Sequence, residues 1–137
     1  MNEEEIIRQI DAYIQSAETP DDMRALARSQ NALPIYLDMG GCIALRTGGT
    51  FIFHPWDTQE FNRDVNPAWQ IIALVHGSGK YPSLTSLLPT RNAGDLDCQF
   101  CKGTGHFVMG SKTYDRILCG KCFGLGWTNS YLESLKP

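Results

Sequence analysis

An α+β fold is predicted for this chain of 137 residues, and three features of the sequence predict it. Two amphipathic segments with helix-start signals open the chain, a Gly-Gly turn between two apolar runs follows, and a paired cysteine repeat lies near the end. The length allows a single modest core with a small appendage. Hydrophobic residues make up 42% and charged residues 20%, proportions of a folded soluble chain rather than a disordered one.

Residues 3–17 place Ile6, Ile7, Ile10, Ile14 and Ala17 on one helical face, with Glu4, Glu5, Arg8, Asp11 and Gln15 opposite. The acids stand in the first turn, where the helix dipole favours them. Thr19, Pro20, Asp21 and Asp22 then read as a hydroxyl cap, a proline at the first helical position and two acids. The second helix is expected to reach about Gln30, to bury Met23, Leu26 and Ala27, and to stop before Pro34.

Cys42 to Arg46 and Phe51 to His54 read as two strands closed by Gly48-Gly49. A two-residue turn there sets Leu45 against Ile52 and Ala44 against Phe53. Cys42 is expected to be a small buried side chain, and no chemistry is assigned to His54 or Trp56. Gln59 to Val65 is polar and reads as a loop or short turn. Asn66-Pro67 caps a buried helix over Trp69 to Val75 that ends at Gly77, although so short an apolar run also fits a buried strand. Tyr81 to Pro89 predicts one or two helical turns, and Thr128 to Leu135 a closing helical turn.

Gly77-Ser78-Gly79-Lys80 is not a phosphate loop. Leu74 stands where that motif needs its first glycine, and Tyr81 follows the lysine in place of Ser or Thr. No Ser/His/Asp arrangement, carboxylate pair or cofactor fingerprint is readable elsewhere, so no catalytic residue is assigned.

The chemistry lies in Cys98-Gln-Phe-Cys101-Lys-Gly-Thr-Gly105 and Cys119-Gly-Lys-Cys122-Phe-Gly-Leu-Gly126, both of the form C-x-x-C-x-G-x-G. Two cysteines three apart can turn both sulfurs inward only around a tight backbone knuckle, for which the following glycines supply positive φ. The spacing between the two pairs matches a zinc site. Cys98, Cys101, Cys119 and Cys122 are therefore the predicted ligands of one structural Zn²⁺ per chain, with no coordination position left open for catalysis. Disulfide or redox use of the pairs is the alternative; a bridge within a pair closes a very short loop. His106, just beyond the first knuckle, is expected at the surface or behind a ligand.

The start, Met-Asn-Glu-Glu-Glu, is acidic and unlike a secretory signal, and the longest apolar run, Ile71 to Val75, is far too short to span a bilayer. A reducing cytosol is the expected compartment. Residues 1–97 hold seven Lys/Arg and thirteen Asp/Glu, a balance of −6, while 98–137 hold five and two, a balance of +3. That small surplus falls short of the basic stripe nucleic-acid binding needs.

The glycine spacing resembles the cysteine-rich region of the DnaJ co-chaperones, where pairs of such octets build Zn-Cys₄ sites. The likeness covers about thirty residues and implies a metal geometry. There are two octets rather than four, and the one His-Pro, at His54 and Pro55, continues with Trp56 instead of a J-domain aspartate. Tyr81-Pro82, Leu84, Leu87-Leu88-Pro89 and Arg91, followed by the two octets and Trp127, look like the C-terminal half of a family of small bacterial proteins of uncharacterised function. Two helices followed by a Gly-Gly hairpin are similar in layout to the SUKH superfamily, which includes immunity proteins. The expected organisation is a small α+β domain over 1–91 and a zinc-stapled, β-hairpin-like knuckle pair over 92–137. The expected function is a zinc-binding protein-interaction module of the bacterial cytosol, with an immunity or regulatory role as its narrower form. A thiol-disulfide oxidoreductase or a nucleic-acid-binding zinc protein is the alternative.

Overall fold

A computed structural model describes residues 1–38, 40–57 and 65–136. Its order is α1 (Glu3–Gln15), α2 (Asp21–Gln30), β1 (Ala32–Leu37), β2 (Gly41–Arg46), β3 (Phe51–Pro55), α3 (Pro67–Gly77), a 3-10 turn (Pro82–Leu87), β4 (Leu96–Asp97), β5 (His106–Met109), β6 (Lys112–Leu118), β7 (Trp127–Thr128) and α4 (Ser130–Ser134). The fold class is α+β. The polar segment 59–65 expected as a loop lies outside the described residues but for Val65.

Two compact units divide the chain, Met1–Val65 and Asn66–Pro137. In the first, α1 starts on Asn2, whose side chain accepts the Glu5 N–H at 2.9 Å. It buries Ile6 and Ile10, while Ile7 is 43% exposed and the helix stops short of Ala17. Thr19 does not cap α2. Its hydroxyl donates to the Tyr13 carbonyl at 2.7 Å, and Pro20 occupies the cap position with no side-chain bond. The α1–α2 corner is held instead by Arg24, which donates to the Ile14, Ser16 and Thr19 carbonyls at 2.6, 2.9 and 3.1 Å. Carbonyls at a helix end need such donors. Helix α2 buries Met23, Leu26 and Ala27 as expected and ends on Asn31 in the left-handed region.

The sheet runs β1-β2-β3, all antiparallel. Strand β1 is not among the elements the sequence predicts, and Pro34, which there marks only the stop of α2, lies within it. The proline is tolerated here because β1 is an edge strand, and the register breaks beside Pro34 in a bulge. The β2–β3 pairing also differs by one residue, with Leu45 opposite Phe51 and Ala44 opposite Ile52. Arg46 N–H donates to the Thr50 carbonyl at 2.8 Å, so the loop is Thr47-Gly48-Gly49, three residues with Gly49 at φ +85°, and not a two-residue turn. Cys42, Ala44 and Ile52 form a buried cluster with Met23 and Ala32, against which Tyr13 packs. Trp56 ties the end of β3 to the β1–β2 connection, its indole N–H donating to the Asp38 carbonyl at 2.7 Å.

In the second unit, Asn66 caps α3, accepting the Trp69 N–H at 2.9 Å with Pro67 following. Asn129 caps α4 through the Leu132 N–H at 2.9 Å. Ile71 of α3 and Leu132 of α4 share one buried cluster with Phe123 of the second octet and Trp127 of β7 just after it. Arg91 reaches Asp97 at 2.9 Å, at the foot of the first octet. The sequence places a boundary near Arg91. The division falls instead between Val65 and Asn66, because Phe123 and Trp127 use α3 as their core partner.

Candidate metal centre

The two octets are copies related by a shift of 21 residues, and the backbone hydrogen bonds of one recur in the other. Gly103 N–H donates to the Cys98 carbonyl and Gly124 N–H to the Cys119 carbonyl, both at 3.0 Å. The copies are then stitched reciprocally. Cys98 N–H donates to the Gly126 carbonyl and Cys119 N–H to the Gly105 carbonyl, both at 2.9 Å. Strands extend the same symmetry: Asp97 pairs with Trp127 on one side and Leu118 with His106 on the other.

Within this frame the four sulfurs converge. Cys98 Sγ lies 4.0 Å from Cys119 Sγ, Cys101 Sγ lies 3.7 Å from Cys122 Sγ, and all four fall within 4.8 Å of one another. A tetrahedron with Zn–S bonds of about 2.3 Å has edges of about 3.8 Å, whereas a disulfide needs about 2.05 Å. The tetrad is therefore positioned to hold a metal ion, and its thiols are not bridged to one another. All four side chains are buried, the most exposed at 4%, and Val108 packs against them.

The local electrostatics favour sulfur anions once a cation is present. Gly105 N–H points at Cys101 Sγ and Gly126 N–H at Cys122 Sγ, each at 3.2 Å. Amide donors of this kind stabilise thiolate and complete the surroundings of the ligand. Burial pushes the Cys98 and Cys122 thiols up. At Cys101 burial is outweighed by the Gly105 N–H and the neighbouring thiols, which bring it down to about 7. Gathering thiolates this closely requires a cation to offset their charge, which a divalent metal would supply.

Glycine at the last position of each octet is required sterically as well as conformationally. Gly105 has φ +78° and Gly126 φ +86°. A β-carbon on Gly105 would lie 2.5 Å from the Gly124 carbonyl oxygen, and one on Gly126 would lie 2.6 Å from that of Gly103. The backbones touch where side chains would otherwise stand. The sequence assigns these glycines to the knuckle turn, and their mutual contact emerges only when the two octets pack.

The outer faces of the two copies differ. Positions 123, 125 and 127 are Phe, Leu and Trp, packed with α3; their counterparts 102, 104 and 106 are Lys, Thr and His. That contrast was present in the sequence and marks which copy needs a partner. His106 is not one of the clustered ligands; its backbone N–H donates to Thr104 Oγ1 at 3.2 Å.

Cys42 is not one of the clustered sulfurs and is buried in the first unit. Burial, and secondarily Asp38, raises its thiol to about 12. It stays protonated at neutral pH, so it is expected to remain unlabelled by thiol reagents in the native protein and to react on unfolding, as peptide mapping after a timed quench will show. The sign for stability follows from an unfolded thiol near about 8.5. Its contribution is complete below that value and is lost as pH rises toward about 12, so the first unit is expected to weaken in alkali. Fast labelling of Cys42 at neutral pH would contradict its burial.

No family model, no curated protein and no solved structure matches the chain. The likeness of the octets to DnaJ knuckles thus rests on their residues alone, and neither it nor the SUKH likeness has a match behind it. No helix among the described residues is long and apolar enough to cross a membrane.

Proposed function

We propose that the chain is a zinc-binding protein-interaction module in which Cys98, Cys101, Cys119 and Cys122 hold one structural Zn²⁺. The observation that carries this is the closed set of four buried sulfurs, two of them already bonded to backbone amides. Zinc would supply neutralisation and cross-linking there. A fourth sulfur occupies the position a catalytic zinc keeps for water or substrate. Binding another protein in a bacterial cytosol, with an immunity or regulatory role as the narrower form, is the function such a stapled surface serves.

The alternatives have less support. A thiol-disulfide enzyme needs an accessible low-pKa sulfur, and the tetrad is at most 4% exposed. For nucleic acid, residues 66–137 carry seven Lys/Arg and four Asp/Glu, or +3. Four thiolates and one Zn²⁺ add −2, leaving +1, which is little to attract a polyanion.

Metal analysis of protein purified without chelator is expected to give about one zinc per chain. The Cys98→Ser/Cys119→Ser variant should lose most of it, and a full complement in that variant would overturn the assignment. Multiple-turnover disulfide exchange dependent on Cys98 or Cys119 would replace the interaction reading with the enzyme.

A further inference from the structure

The β5–β6 hairpin presents a face that the metal site does not use. Val108 packs against the cysteine cluster, and side chains alternate along a strand, so Phe107 and Met109 point away from it. The register sets Tyr114 opposite Phe107 and Lys112 opposite Met109. The Phe107 and Tyr114 ring centroids are 5.7 Å apart, and Lys112 Nζ lies 4.8 Å from the Tyr114 centroid. Between the pairings of Tyr114 and Leu118, no β5 residue stands opposite Asp115, Arg116 or Ile117. This bulge leaves Arg116 and Ile117 exposed. Met109 is 62% and Ile117 51% exposed. Single exposed apolar residues are ordinary; a thioether, a branched aliphatic and an aromatic pair on one two-stranded hairpin are the material of a contact surface.

We propose that this face docks an acidic segment of another protein that carries apolar side chains and binds in extended form. The proposal rests on the protein-interaction reading above and specifies its surface. Charge selects the occupant. The hairpin itself carries exposed Lys112 and Arg116 beside exposed Asp115, so an apolar segment bearing a few Asp or Glu can pair with local cations, whereas a polyanion meets the small net charge of the whole unit. The sheet has two strands among the described residues, which leaves outer backbone edges of the kind an extended peptide can join. Nucleic acid fits less well. Bases bind by stacking on open aromatic faces, and here Lys112 covers Tyr114 while Lys121 Nζ lies 5.3 Å from the Phe100 centroid. Met109 and Ile117 offer nothing to stack on.

A random-peptide display library selected on the full-length, zinc-loaded protein tests this. Enriched sequences are expected to interleave Asp or Glu with aromatic and aliphatic residues. One such peptide, synthesised with a fluorophore, is expected to bind saturably and to weaken about tenfold or more against Met109→Ser/Lys112→Glu, with zinc content and amide-exchange protection unchanged. A peptide that binds the variant as tightly as the wild type overturns this surface and leaves the interaction reading standing. Absence of enrichment overturns the surface as well. A single-stranded oligonucleotide bound more tightly than any selected peptide, with affinity falling steeply in salt, overturns both. Self-association of the protein that the same variant abolishes would make a second copy the occupant and overturn the proposed partner.

Discussion

Removing zinc is expected to unfold residues 66–137 and leave 1–65 folded. A Cys₄ zinc contributes on the order of 10 kcal/mol of apparent free energy, while a whole small domain is stable by only about 5–15 kcal/mol. The second unit has little to replace it. Strands β4 and β7 are two residues each, and the hairpin is largely exposed. Its buried cluster joins Ile71 to Phe123, Trp127 and Leu132, so loss of the knuckles removes the partner of α3 as well. Hydrogen exchange before and after chelation should therefore show protection lost across the octets and across α3 together, and kept in α1, α2 and β1–β3. Full protection of α3 in the chelated protein would show that it belongs with the first unit, as the sequence suggests. Loss of protection in β2 would show one shared core.

What could be read from the sequence was local. Asn66-Pro67, the acids of α1 and the apolar spacing of α2 are signals within a few residues, and each predicts an element that is present. The four cysteines were legible because metal geometry restricts spacing within each pair. Pairings across the chain were not. The one-residue slip between β2 and β3 depends on whether Gly49 closes a three-residue loop, which the letters Gly-Gly leave open. Strand β1 was not predicted, and it contains Pro34, whose tolerance depends on an edge position that exists only once the sheet is formed. The place of α3 turned on Phe123, Leu125 and Trp127, whose apolar character was visible but whose partner was distant in sequence.

Replacing Gly105 or Gly126 with alanine is expected to weaken the metal centre strongly. Two penalties combine. An L-residue held at φ +78° or +86° costs about 1–2 kcal/mol, and the added β-carbon would meet a carbonyl oxygen at 2.5 or 2.6 Å, where only backbone movement gives relief. Overpacking of that kind costs about 1–3 kcal/mol. The displaced backbone also carries the amide donors to Cys101 and Cys122 and the Cys98 and Cys119 cross-links. The expected total of about 3 kcal/mol corresponds to zinc affinity reduced about a hundredfold or more. Gly110 separates the two causes, since it also has positive φ, +64°, in the Gly110-Ser111 turn, but a β-carbon there meets nothing within 4 Å. Gly110→Ala should therefore show the backbone penalty alone, with zinc affinity reduced about tenfold rather than a hundredfold in a competition titration against a chromogenic chelator. Equal losses of zinc affinity in Gly105→Ala and Gly110→Ala would mean that the close approach of the two octets is not what holds the sulfurs in place.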